Sequence, residues 1–155
     1  MNTYEELQDA ACKNGIDVID YPFGTERIKG LYCDGTVAIR KDIETQAEKS
    51  CILAEELGHH YTTTGNILDQ STDVMNRKQE YRARLYGYNL RVGLIGIINA
   101  YEACCRNLHE MAEYLEVPED YLTEVIDCYR SKYGQYTVVD NYMNLFYSTV
   151  GCDEN

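Results

Sequence analysis

The stretch Glu55-Glu56-Leu57-Gly58-His59-His60 decides the reading of this chain. Glu55 and His59 are four residues apart, which on an α-helix puts their side chains about 40° apart on one face. Glu56 projects from the next position round. A carboxylate and an imidazole at that spacing are two candidate metal ligands, and the carboxylate between them stands where a general base is needed. His60 points about 100° away from His59, which suits an outer or surface role rather than ligation.

Outward from this stretch, Ile43 to His60 reads as one helix, with Ala47, Cys51, Ala54 and Leu57 or Gly58 on an inward stripe and Thr45 as an early cap. Tyr61 to Asp73 carries Thr, Gly and Asp with no apolar period and reads as a loop. A second helix begins near Asn76, and Gln79 to Arg91 runs with Tyr81, Leu85, Tyr88 and Leu90 among basic residues. On the other side, Thr3-Tyr4-Glu5-Glu6 opens a helix, with Thr3 as N-cap or Glu6 closing a capping box, and Asn14-Gly15 stops it. Ile16 to Ile19, Ile28 to Cys33 and Thr36 to Arg40 are strand-like, and Asp34-Gly35 between the last two is a hairpin signal.

Leu94 to Cys105 and Leu108 to Leu115 read as further helices. Another follows from Tyr121 to Tyr133, with Pro118 at its first helical position and Gly134 at its end. Thr137 to Val139 suggests a short strand, and the polar tail past Tyr147 reads as loose. The expected class is α+β: a mainly helical domain with a small N-terminal antiparallel sheet. One domain is expected over residues 1–155, with the sheet and metal-site helices in 1–92, a helical C-terminal part in 93–134, and a short strand and tail in 135–155.

At 155 residues and 45% hydrophobic content the chain can bury a real core, so a metal would serve function rather than substitute for a scaffold. The net charge of −12 argues against direct nucleic-acid binding, which draws its non-specific affinity from Lys and Arg. No basic start precedes an apolar core, and no apolar run is long enough for a bilayer, so a cytoplasmic protein without membrane contact is expected. Seven cysteines at scattered spacings form no Cys-x-x-Cys pair, and in a reducing compartment most read as small buried hydrophobes, Cys104 and Cys105 included. The fifteen tyrosines suit half-buried surfaces and grooves.

A hydrolytic zinc centre needs about three protein ligands, one position left for water, and a carboxylate to take that water's proton. Glu55 and His59 supply two ligands and Glu56 the base, in a pattern that departs from His-Glu-x-x-His only at its first residue. Glu80 is the preferred third ligand, because an antiparallel second helix brings it over the site and the small Ala83 one turn on permits close approach. Asp69 and Asp73 compete with it. The plainer reading makes Glu55 and Glu56 solvated charges on an acidic helix, with His59 and His60 ordinary polar residues near its end.

The run Ile52-Leu53-Ala54-Glu55-Glu56-Leu57-Gly58-His59-His60-Tyr61, followed by Glu80-x-x-Ala83-x-x-Tyr86-Gly87, resembles the ImmA/IrrE metallo-endopeptidases. That family joins an apolar lead and His-Glu-Leu-Gly-His to a downstream Glu-x-x-Ala-x-x-aromatic-small helix. The likeness extends over most of the chain, including the acidic Glu113 to Gly134 region. By position it implies Glu56 as catalytic glutamate, His59 as a zinc ligand and Glu80 as the downstream acidic ligand. Glu55 falls where the family has its first histidine, which adds negative charge beside the metal.

The resemblance implies a gluzincin-like, zinc-dependent endopeptidase of a phage or mobile element, acting as an antirepressor by cleaving a helix-turn-helix repressor. Tyr61, Tyr86 and His60 are candidate donors to the developing oxyanion. A different class of reading is a non-proteolytic regulatory binder with a weak or absent metal, and a third is a helical interaction domain with no site. The segment from Met111 to Leu122 has a helix-turn-helix rhythm, but Glu119, Asp120, Glu124 and Asp127 stand where a DNA reader needs donors, so it reads as a packing or partner-binding element. His109 reads as a partly exposed polar residue.

Overall fold

The computed structural model describes residues 2–62, 73–134, 136–139 and 142–145. Its α+β architecture is mainly helical. The elements run α1 (Thr3–Lys13), β1 (Asp17–Tyr21), β2 (Gly30–Cys33), β3 (Thr36–Arg40), α2 (Gln46–Thr62) and α3 (Asp73–Arg91). They continue with α4 (Gly93–Glu102), α5 (Leu108–Leu115), α6 (Glu119–Tyr133), β4 (Tyr136–Val139) and β5 (Tyr142–Leu145). Contacts divide the chain into two compact units, residues 1–90 and 91–155.

In the first unit the hairpin forms where Asp34-Gly35 marks it. Both residues have positive φ, 47° and 84°, the pairing a two-residue turn needs to match strand twist. β2 and β3 pair antiparallel through it, from Cys33 opposite Thr36 to Gly30 opposite Ile39. The sheet as a whole is mixed rather than antiparallel, because β1 runs parallel to β3 and the order is β1-β3-β2. The long connection from Tyr21 to Gly30 leaves β1 free to take the far side of β3 instead of forming a hairpin with β2.

α1 begins one residue earlier than Thr3 would cap it. Asn2 accepts from the Glu5 amide and the Glu5 carboxylate accepts from the Asn2 amide, both at 2.9 Å. Asn14 and Gly15, the latter at φ 79°, close the helix. Tyr4, Ala11, Ile16, Val37, Ile39, Leu53 and Leu57 form the core between α1, the sheet and α2. α2 starts after Thr45, whose hydroxyl accepts from the Glu48 amide at 3.2 Å, and so begins later than Ile43. Glu48 is then free to pair with Lys29 at 2.9 Å, just before β2. The helix runs to Thr62, past His60, and buries Cys51, Leu53, Ala54, Leu57 and Gly58.

α3 begins at Asp73, before Asn76. The loop expected from Tyr61 to Asp73 falls largely outside the described residues, as does Asp69; Asp73 opens α3, but its side chain is not among those described. The tail past Tyr147 and Cys152 also lie outside them.

In the second unit α4 ends at Glu102, short of Cys105, where Cys104 turns left-handed at φ 68° and is exposed rather than buried. α5 is capped by Glu116, also left-handed, and the Val117 amide bonds back to the Ala112 carbonyl at 3.1 Å. Arg91, 8% exposed, donates to the carbonyls of Leu115 and Glu116 at 3.2 and 2.9 Å, satisfying the end of α5. Pro118 is the N-cap of α6 rather than its first helical residue, and Gly134 closes that helix. Leu122, Val125, Ile126 and Tyr129 are its buried side. Glu119, Asp120, Glu124 and Asp127 face solvent. β4 and β5 form a separate two-stranded antiparallel ribbon.

Candidate metal centre

α2 and α3 approach until their backbones touch. A Cβ on Gly58 would collide with the Ala83 carbonyl oxygen, and one on Gly87 would stand 3.0 Å from the Glu55 nitrogen and 3.2 Å from the Ala54 carbonyl carbon. Ala83 and Ala54 are themselves wholly buried. Glycine on each helix, set against alanine on the other, therefore removes every side chain that would hold the axes apart. Glu80 lies three residues before Ala83 and seven before Gly87, so it shares their face of α3.

That approach brings three donors together. One ligand atom each from Glu55, His59 and Glu80 lies within 4.8 Å of the others. His59 Nε2 stands 3.6 Å from Glu80 Oε2. Donors on a tetrahedral zinc ion at 2.0–2.2 Å are about 3.3–3.6 Å apart, so the His59 and Glu80 pair already has that separation. The burial is graded, with Glu55 and His59 partly covered and Glu80 exposed, which leaves one side of the cluster open to water. Imidazole and carboxylate are both ordinary ligands of a divalent cation. The donor set and its spacing fit a metal ion.

Glu56 lies on the neighbouring ridge of α2, toward β2. A Cβ on Gly30 would stand 2.6 Å from Ile52 Cγ2 and 3.1 Å from Glu56 Cγ, so glycine lets the strand press onto this part of the helix. Burial pushes the Glu56 carboxyl up to about 7, and the negative charges of Glu55 and then Glu80 push the same way, while a backbone hydrogen bond from Tyr32 pulls it down. A carboxyl poised near neutrality can both take and return a proton. The same crowding of three carboxylates is relieved by a cation between them.

His60 is drawn to β2 and away from the donor cluster: its Nδ1 is 2.7 Å from the Tyr32 hydroxyl. Its ring also meets Tyr61 edge-on at 4.8 Å, and Tyr61 stacks on Tyr86 at 5.5 Å. Tyr61 and Tyr86 thus stand in a row of rings with His60. The Tyr86 hydroxyl is pushed up by burial and then by Tyr61. His109, in the second unit, is exposed and lies 3.1 Å from Glu119 and 3.9 Å from Glu113. The residue that the one-dimensional pattern did not mark is Tyr32, which touches α2 through both its backbone and its hydroxyl. A tyrosine following a glycine by two in a strand beside a hairpin was the available signal.

No protein-family model, curated protein or solved structure matches this chain. Among the described residues no helix is long and apolar enough to cross a membrane.

Proposed function

We propose that the chain is a zinc-dependent endopeptidase of the gluzincin kind. The observation that carries the reading is the convergence of Glu55, His59 and Glu80 within 4.8 Å, with Glu56 beside them and raised to about 7. Glu55 and His59 from α2 and Glu80 from α3 would hold the cation. When bound, a zinc ion supplies Lewis acidity, polarising a carbonyl and acidifying water. Glu56 accepts a proton from the attacking water and delivers it to the leaving amine, a role that needs a carboxyl whose affinity for protons lies near the working pH. The exposed Glu80 side leaves room for a polypeptide to enter.

The target in this reading is a helix-turn-helix repressor of a phage or mobile element, cleaved in the cytoplasm, as the family resemblance implies. The net charge of −12 complements a basic DNA-binding protein. The test is coexpression of such a repressor with the wild-type chain and with Glu56→Gln, read as repressor fragments by mass spectrometry. Cleavage by the wild type alone supports the proposal; equal loss of repressor with both chains contradicts it.

Glu55 favours a second reading, a non-proteolytic regulatory binder. Replacing a neutral imidazole with carboxylate makes a metal-bound water less acidic, and that weakens hydrolysis without weakening a docking surface. Repressor captured intact by both chains, with no fragments, selects this reading.

A further inference from the structure

α2 carries two parallel ridges, each a pair of residues four apart and offset from the other by one position. Glu55 and His59 form the ridge that faces Glu80 of α3. Glu56 and His60 form the ridge that faces β2, and one residue of that strand meets both members. The Tyr32 backbone N–H donates to the Glu56 carboxylate, and the Tyr32 hydroxyl lies 2.7 Å from His60 Nδ1.

We propose that Tyr32 is the positioning residue of the candidate centre, fixing Glu56 through its main chain and the ring of His60 through its hydroxyl. The assignment rests on the reading of Glu56 as the base. The Gly35 amide donates to the Tyr32 oxygen at 3.2 Å, so that oxygen already accepts once, and in the proposed arrangement its own hydrogen is given to His60 Nδ1. An imidazole that accepts at Nδ1 carries its proton on Nε2. In that arrangement His60 is held in one tautomer, with Nε2–H left as a donor.

The hairpin supports this arrangement from both sides. Asp34 and Gly35 adopt positive φ, which brings the Gly35 amide back onto the Tyr32 hydroxyl oxygen, and Gly30 lets β2 sit against Ile52 and Glu56. The edge-on ring contact of Tyr32 with His60, centroids 5.2 Å apart, holds the imidazole plane. Glu56 and His60 are thus aimed by a strand, whereas the metal donors are aimed by a helix crossing. A side-chain change at Tyr32 alters the aim of His60 without removing a metal donor.

The test uses the full chain labelled with 15N at histidine, metal-free and then titrated with zinc, in wild type and Tyr32→Phe. The expected wild-type spectrum shows His60 with an unprotonated Nδ1 and a protonated Nε2. In Tyr32→Phe the two nitrogens move toward averaged tautomers, while the zinc affinity stays that of the wild type. A wild-type His60 protonated on Nδ1, or a Tyr32→Phe spectrum identical to wild type, overturns the assignment. Should Tyr32→Phe fail to fold, the wild-type tautomer alone decides. Failure of the wild type to bind zinc contradicts the proposed function and leaves the His60 result readable on its own.

Discussion

Gly58 of α2 rests directly on the main chain of Ala83 in α3, with no room for a single carbon between them. The candidate metal centre depends on that contact, because it sets how far Glu80 stands from His59. Helices whose side chains interpose pack 8–10 Å apart between axes, and small residues allow the lower end of that range.

Gly58→Ala is expected to force the helices apart. Overpacking costs about 1–3 kcal/mol, which for a chain of this size lowers the melting temperature by roughly 2–4 °C per kcal/mol. Zinc affinity falls with it, since Glu80 moves with α3. Thermal denaturation and zinc calorimetry on the one variant check both, and an unchanged melting temperature contradicts the contact.

In the proposed centre the donor at position 55 sets zinc affinity. Glu55→His places a second imidazole beside the site and is expected to tighten zinc, because nitrogen ligands suit zinc better than a further carboxylate amid like charge. Glu55→Ala is expected to weaken it by more than about tenfold, the least that loss of a supporting contact costs a metal site. Competition against a coloured chelator reads both. Equal affinity in all three chains would remove Glu55 from the donor set.

Glu56 makes the metal-free protein sensitive to pH. Its carboxyl is raised from an ordinary 4.5 to about 7 in the fold, so the folded state holds a proton that the unfolded state has released. Stability is then greatest below pH 4.5 as far as this group is concerned, and falls as pH rises through about 7, by on the order of 3 kcal/mol. Urea denaturation in chelator from pH 5 to 8 should show this decline and a flatter profile for Glu56→Gln. Parallel profiles would contradict the burial of an ionisable Glu56.

Arg91 holds the end of α5 through two carbonyls while almost fully buried. Arg91→Met keeps much of the packing and removes the donors, at an expected cost of about 1.5–3 kcal/mol for each hydrogen bond to a charged group. Urea denaturation measures it. A loss below about 0.5 kcal/mol, the range of ordinary surface changes, would show that water replaces the guanidinium.

The parts legible in the sequence were those set by short-range chemistry. Asp34-Gly35 makes its hairpin because two adjacent positive φ angles specify the turn locally, and Thr45 starts α2 because its hydroxyl reaches an amide three residues on. Glu80 could be aligned with Glu55 and His59 because helical period and the small Ala83 fix a face. The parallel pairing of β1 with β3 was not legible, since alternation in β1 shows a face and not a neighbour. Tyr32 was missed for a related reason. Its partner His60 is 28 residues away, and that meeting exists only once β2 has docked on α2. At Asn2 the competing caps lay one residue apart, and the amide side chain with Glu5 closing the box displaced Thr3.

The central claim is that two helices close three side chains around one cation. Zinc titration by calorimetry of the chelator-stripped full chain, beside Glu80→Ala, tests it most directly. The account predicts one zinc ion per wild-type chain and binding weakened at least about tenfold in Glu80→Ala. Absence of saturable binding in the wild type, or the same affinity in both chains, would contradict it.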